Sequence, residues 1–425
     1  MLTKVKKEEK MERYDCNKGL FFHFNNPTNI ALVFYLVHIT AYDTLRNVNP
    51  LFSLLATMGN YVFLLLIVNA LPVIVRSFTK SVVVAVFLFA IIEIVSLMIA
   101  PNEAIHFVML SALFRFGLPC FLIGISIQDI DDLIRKLHIA SIIILLCIGL
   151  SVFVFKSNSL LSSAYSQDMG YEALIPFVIF LGYLINKRTV IDIVGVVISI
   201  IFVIMSGARG PLLCLLLSFI VVIMLYTQAS IKKLVILAGV GAVGVVALYV
   251  WFQPIVKTLI SLFDSYGVST RILYGLLNND LSDDAMRGKL RAFAWEYAKY
   301  HLAGGTGFVN DRQLIYQSLL VGVANGASGT YVHNFFLELM MQFGLVPGLT
   351  LSIVFCVKLI HSFSKKYLFN ARLFLATLLS VSFWPLMISR SYLSVAYFYL
   401  LCGFLLGIGK FVENWHYVEG EQNNE

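Results

Sequence analysis

Apolar runs of membrane-spanning length recur from residue 28 to residue 411 and limit the folds open to this chain. A hydrocarbon core about 30 Å thick takes about 20 residues of helix per crossing. Inside it every backbone amide must find its partner within the protein, which leaves helices or closed barrels. The runs are continuous rather than alternating at period two, so helices are expected. About twelve spans result: 28–45, 51–75, 81–100, 104–127, 137–155, 171–186, 189–206, 211–227, 233–252, 333–358, 370–388 and 392–411. Hydrophobic residues make up 59% of the 425 residues and charged ones 13%, with mean hydropathy +0.85. A soluble domain has about a quarter charged residues. The expected fold is an all-α polytopic membrane protein.

Lys and Arg concentrate on the cytoplasmic flanks of spans. With the N-terminus inside, the inner breaks carry Arg76 and Lys80, Arg135 and Lys136, Lys187 and Arg188, Lys232 and Lys233, and Lys365 and Lys366. Both termini are then cytoplasmic. The chain divides into a basic tail (1–27), spans one to nine (28–252), one large outer loop (253–331), spans ten to twelve (332–411) and a second tail (412–425). The polar N-terminal stretch lacks the apolar core and small-residue site of a cleavable signal peptide, so the first span is expected to direct insertion. The six cysteines have no close spacing and lie in apolar runs or the first tail, which suggests neither a disulfide framework nor a zinc site.

The outer loop is nearly neutral overall, and its positive charge is local, at Arg287, Lys289 and Arg291. Ser282 as a cap, Asp283 and Asp284 at the positive end of the dipole, and Gly304-Gly305 as a stop predict a helix between them. Leu290, Phe293, Ala294, Tyr297 and His301 give it one apolar face, to lie along the membrane or against the bundle. No internal repeat and no phosphate-cradling glycine loop is present.

Several residues carry competing readings. Arg209 sits in the tight turn Ser206-Gly207-Ala208-Arg209-Gly210-Pro211, either snorkelling at a helix end or held to grip a phosphate with both guanidinium nitrogens. The Arg287, Lys289, Arg291 cluster is either a solvated helix face or an anion site. His333, next to Asn334 where the loop enters the tenth span, is either a satisfied hydrogen-bonder or a general base, for which its near-neutral titration suits it. Glu338 falls on the same helical face, to orient His333 or to pair with a loop arginine. Glu93 and Arg115, at similar depth in adjacent spans, are expected to form an ion pair.

Three stretches together resemble the superfamily of O-antigen polymerases and O-antigen ligases, bacterial membrane glycosyltransferases. They are Ser206-Gly207-Ala208-Arg209-Gly210; Arg291-Ala292-Phe293-Ala294-Trp295 with Gly304-Gly305-Thr306-Gly307-Phe308; and His333-Asn334-Phe335-Phe336-Leu337 with Gly344 and Pro347-Gly348. One departure is His301-Leu302-Ala303, where the family often has His or Asn followed by Pro. The resemblance implies action on glycans carried by undecaprenyl diphosphate at the periplasmic face of the inner membrane. A polymerase would extend a lipid-linked repeat unit, and a ligase would charge lipid A-core. It also implies a diphosphate site at Arg209, Arg287 and Arg291, with Arg271 or Arg390 as further sources of charge. His333 would be the catalytic base, and Glu338 or Asn334 would orient it. Asp283-Asp284 is explained as a helix start, so no metal and no cofactor is expected. Expected partners are the lipid-linked donor and acceptor, the bilayer, a chain-length regulator and a flippase, with no nucleic acid. A capsule or exopolysaccharide polymerase, a transporter of lipid-linked glycans and a structural subunit are the alternatives. A transporter would show paired halves with broken helices and midplane charges, whereas this chain places its polar mass in one loop.

Overall fold

The structure, a computed structural model, describes residues 25–45, 50–99, 103–154, 167–227, 285–319 and 330–412, with scattered positions between 254 and 277. The ninth expected span, the Ser282 cap, Asp283-Asp284 and Arg271 lie outside the described residues. The described chain is helical, with one isolated antiparallel bridge between Tyr367 and Val412. The helices are α1 (Pro27–Leu45), α2 (Pro50–Arg76), α3 (Lys80–Met98), α4 (Ile105–Ser126), α5 (Ile130–Val152), α6 (Gln167–Lys187), α7 (Val190–Met205) and α8 (Arg209–Thr227). After them come α9 (Ala285–Tyr300), α10 (Asp311–Leu319), α11 (Phe335–Phe343), α12 (Leu345–Ser362), α13 (Phe369–Ile388) and α14 (Ala396–Phe411).

Seven of these, within α2, α4, α5, α6, α8, α12 and α13, are long and apolar enough to cross a bilayer, and Val82–Met98, α7 and α14 are shorter apolar helices. Large apolar side chains such as Leu65, Phe87, Ile94, Val190 and Ile360 stand exposed on the outside, where water would not favour them. This is a membrane protein.

Polar contacts distinguish the two ends of the bundle. At one end Asn29 donates to the Asp129 carbonyl and the Asp132 carboxylate (2.8 and 2.9 Å), Asn370 to Asp131 (2.6 Å) and Lys410 to the Ile125 carbonyl (2.7 Å). His138 pairs there with Asp192 (2.7 Å). Asp129 and Thr189 cap α5 and α7 at this end by accepting from the amides of Asp132 and Asp192. At the other end Thr40 and Tyr397 both donate to Glu172 (2.8 and 3.0 Å), and Gln167 and Tyr171 meet Ser389. Hence α1, α7 and α13 run from the first end to the second, and α6, α8 and α14 run back. Arg135, Lys136, Lys187, Arg188 and Lys410 gather at the first end.

Glycine permits a close crossing of α4 with α14. A Cβ on Gly124 would lie 2.5 Å from the Leu400 carbonyl oxygen, and one on Gly403 would overlap the Phe121 carbonyl. In lipid, where apolar burial gives little drive, close backbone approach through small residues is what brings helices together.

Two expectations need correction. The tenth span is not one helix over 333–358: Gly344, at φ +94°, breaks it, and α11 folds back on α12 so closely that a Cβ on Gly348 would sit 2.5 Å from Met340 Cα. Glu93 does not meet Arg115 but takes His106 (2.6 Å). Arg115 lies in a π-helical turn, Leu113–Gly117, which rotates it outward, and its guanidinium rests 5.0 Å from the Phe116 ring centroid.

Gly403→Ala is expected to lower stability by about 1–3 kcal/mol through overpacking of the α4–α14 crossing. Gly288→Ala, on open helix surface, is expected to leave it level or slightly higher. Melting temperatures in one detergent check both.

Candidate active site

The site forms around the end of α13. Ser389 and Arg390 turn back to hydrogen-bond the Pro385 carbonyl (2.8 and 2.9 Å), so the helix stops and the carbonyls of Ile388 and Ser389 have no helical amide to accept from. They also carry the negative end of the helix dipole. Donors from three separate stretches meet them. Arg287 reaches the Ile388 carbonyl (Nη1, 3.5 Å), and the Tyr331 hydroxyl (2.7 Å) and His333 Nδ1 (3.2 Å) reach that of Ser389.

A carbonyl can only accept, so Nδ1 carries the proton in that bond, and in the neutral ring the lone pair lies on Nε2. The imidazole is further held against the Tyr331 ring, 4.1 Å between centroids. His333 itself has φ +57°, a left-handed conformation that His adopts more readily than most residues. Arg291, one turn beyond Arg287, donates to the His333 carbonyl (Nη2, 3.5 Å). The i, i+4 spacing puts both arginines on the inner face of α9, half-buried, while Lys289 is exposed. The expected apolar face of this helix packs on α10 and α11: Leu290 and Ala294 are buried with Ile315, Val332 and Met341.

Arg209 opens α8 from a turn in which Gly207 has φ +62°. Its neighbour Gly210 is wedged against Tyr171 and Ile388, where a Cβ would come within 2.5 Å of the tyrosine hydroxyl. That turn therefore abuts the same hub. Arg390 leads into the next loop, paired with Asp168 and 4.5 Å over the Tyr171 ring.

The other sequence candidates have different work. Asn334 is the N-cap of α11, its Oδ1 accepting from the Leu337 amide (3.1 Å), which fixes the backbone just after His333. Glu338 is fully buried on α11, outside the candidate spans. It accepts from Ser391 Oγ, which in turn accepts from Arg312 Nη2 (2.9 Å), so Ser391 bridges it to a loop arginine. Arg312 also lies 5.4 Å from the Tyr331 ring. In parallel, Gln342 donates to Asp311 (2.8 Å) and accepts from Tyr392. These two chains lash the loop after α13 to α10 and α11.

The glycines of the second motif are structural. The amides of Thr306 and Gly307 take the last carbonyls of α11, those of Met341 and Gln342 (3.0 and 2.9 Å). The amides of Leu345 and Val346, opening α12, take those of His301 and Leu302 (both 2.9 Å). Arg312, Asp168 and Glu172 were not singled out by the sequence. Their signal was polar or charged residues at the margins of apolar runs, as with Ser389-Arg390-Ser391.

Residues 194–353 match the model of the O-antigen ligase family. Over this stretch the chain is similar to the O-antigen ligase/polymerase superfamily. Comparison with curated proteins gave no match. Members of the superfamily are ligase- or polymerase-type membrane glycosyltransferases that act on lipid-linked glycans. The O-antigen ligase match runs from α7 into α12 and holds Arg209, Arg287, Arg291, His333, Asn334 and Glu338, whereas the Ile388–Ser391 hub and Asp168 lie outside it.

Burial, with Asp311 close by, pushes the Glu338 carboxyl well above the usual carboxylate range, and burial pushes Asp311 up against the opposing pull of Arg312. Groups whose folded pKa is raised hold their protons more tightly folded than unfolded. Their contribution is complete below about pH 4, the ordinary carboxylate value, and is lost as pH rises through the raised values. Melting temperature in detergent is therefore expected to fall from about pH 4 to about pH 8, and Glu338→Gln to flatten that slope. An unchanged slope in the variant would remove Glu338 as its source.

Proposed function

We propose that this chain is an O-antigen polymerase. It would move a growing glycan from undecaprenyl diphosphate to a hydroxyl of a new lipid-linked repeat unit, at the periplasmic face of the inner membrane. The observation that carries this reading is the convergence of Arg287, Arg291, His333 and the Arg209 turn on the end of α13, from segments far apart in sequence. In the transfer the bond from the anomeric carbon to the diphosphate oxygen breaks, and the diphosphate leaves with the electron pair. The acceptor oxygen bonds to that carbon and gives its proton to His333 Nε2. A diphosphate leaving group needs its charge met rather than a proton. Arg209, Arg287 and Arg291 supply that charge, and no metal or cofactor has a step in the scheme. The Ser389 carbonyl keeps His333 in the tautomer a base requires, while Asn334 and Glu338 position the elements that carry it. The basic residues at the opposite end of the bundle support an outward-facing site with both termini cytoplasmic.

The description of the matched family favours ligation to lipid A-core as a second reading. Deleting the gene and complementing with wild type, His333→Ala or Arg209→Ala separates the two on a lipopolysaccharide gel. A single-repeat band in place of the ladder, restored by wild type alone, is the polymerase outcome. Loss of all repeats with lipid-linked polymer accumulating is the ligase outcome, and an unchanged ladder sinks both. With purified protein, His333→Ala is expected to lower turnover by about 10²- to 10⁴-fold, the usual contribution of a general base. Near-full turnover would remove His333 from that role.

A further inference from the structure

Beside the arginine cluster lies a cavity of about 470 Å³, within the range of small-ligand sites. It shares Tyr331 and Ser389 with the His333 environment, and its wall includes Asp168, Glu172, Arg390, Tyr397 and Tyr399. Among the described lining residues its charge is wrong for a diphosphate: two carboxylates face one guanidinium, and that guanidinium is already paired with Asp168.

The wall suits a neutral polyhydroxyl ligand. Glu172 is buried and held on both sides by the hydroxyls of Thr40 and Tyr397, so its oxygens are fixed acceptors at the cavity wall. The Tyr399 hydroxyl is buried behind the same wall with no hydrogen-bond partner among the described residues, a cost that a ligand hydroxyl reaching it would relieve. Tyrosine rings add apolar faces that the C–H side of a pyranose can cover.

We propose that this cavity is the acceptor-sugar subsite, in which Glu172 and Tyr399 hydrogen-bond hydroxyls of the acceptor residue and so present one of them to His333. It rests on the glycosyl-transfer reading above and adds to it a division of labour: cations on the hub for the donor's diphosphate, carboxylate and tyrosines in the cavity for the acceptor's sugar. Glu172 and Tyr399 then set which sugar, and which of its hydroxyls, is used.

Full-length protein in nanodiscs would be titrated with two probes, the oligosaccharide repeat unit released from the cell's own lipid-linked pool by mild acid, and undecaprenyl diphosphate. Glu172→Gln and Tyr399→Phe are each expected to weaken oligosaccharide binding about tenfold, the scale of one hydrogen bond to a charged or buried partner, and to leave undecaprenyl diphosphate unaffected. Arg287→Ala is expected to do the reverse. In turnover the two cavity variants should raise the KM for acceptor and not that for donor. Tyr399→Phe loses a single oxygen, so a wild-type melting temperature in that variant separates a binding defect from misfolding. Oligosaccharide binding indifferent to both cavity variants, or diphosphate binding weakened equally with it, would overturn the subsite while leaving the transfer reading intact. Wild type that binds neither probe would overturn both.

Discussion

The Ile388 and Ser389 carbonyls at the end of α13 are where the structure's separate parts meet. A helix end in a membrane protein leaves acceptors that must be satisfied at the bundle surface, and its dipole favours cations there. Here the satisfying groups are Arg287, Tyr331 and His333, from the polar segment between α8 and α12. One backbone feature thus orders an imidazole, a phenol and a guanidinium at once. Because each bond is to a carbonyl, every group arrives as a donor, which fixes the histidine tautomer without a carboxylate beside it.

That hub would be loose if the loop after α13 were free, and two buried side-chain chains prevent this. Ser391 bridges Arg312 and Glu338, and Tyr392 is tied through Gln342 to Asp311. Two acids around one guanidinium would leave excess negative charge in a dry interior if both were ionised, which is expensive. Raised carboxyl pKa values are the physical resolution, since a protonated acid keeps its hydrogen-bonding capacity at no charge cost. The glycine turn Gly304–Gly307 acts on the other flank. It closes the end of α11 with its own amides, while the carbonyls of His301 and Leu302 receive the start of α12, so α9 with its two arginines is clamped to the helix that comes after His333.

Much of this was legible in the sequence because hydrophobic periodicity and span length are local properties. The apolar runs gave spans that correspond to most described helices. The three- and four-residue steps of Leu290, Phe293, Ala294 and Tyr297 marked the packed face of α9, whereas the inward turn of Arg287 and Arg291 showed only in the fold. Features that stayed hidden depended on non-local geometry. His106 rather than Arg115 partners Glu93 because a π turn swings Arg115 away from the neighbouring helix. The break at Gly344 reads as an ordinary glycine in an apolar run until the fold-back onto Gly348 is seen. Asn334 looks like a partner for its neighbour His333, yet a residue before a helix meets its strongest local demand from the unsatisfied amides ahead. Asp168 and Glu172, at the start of a weak apolar run, are brought to the hub only by α13 and α14, more than two hundred residues later.

The separation of charge across the site arises from the same placement. On the proposed reading the arginines that receive a diphosphate belong at the rim, where carbonyl dipoles orient the guanidiniums. Carboxylates that read hydroxyls suit the cavity, where a fixed acceptor in a low-dielectric wall discriminates between a hydroxyl in reach and one that is not. Arg390, paired with Asp168, stands on the cavity wall beside Ser389. On the proposed reading, a transfer that breaks a bond to a diphosphate and forms one to a sugar hydroxyl needs two such environments within reach of one base. The end of α13, with Tyr331 and Ser389 belonging to both, is where the chain brings them together.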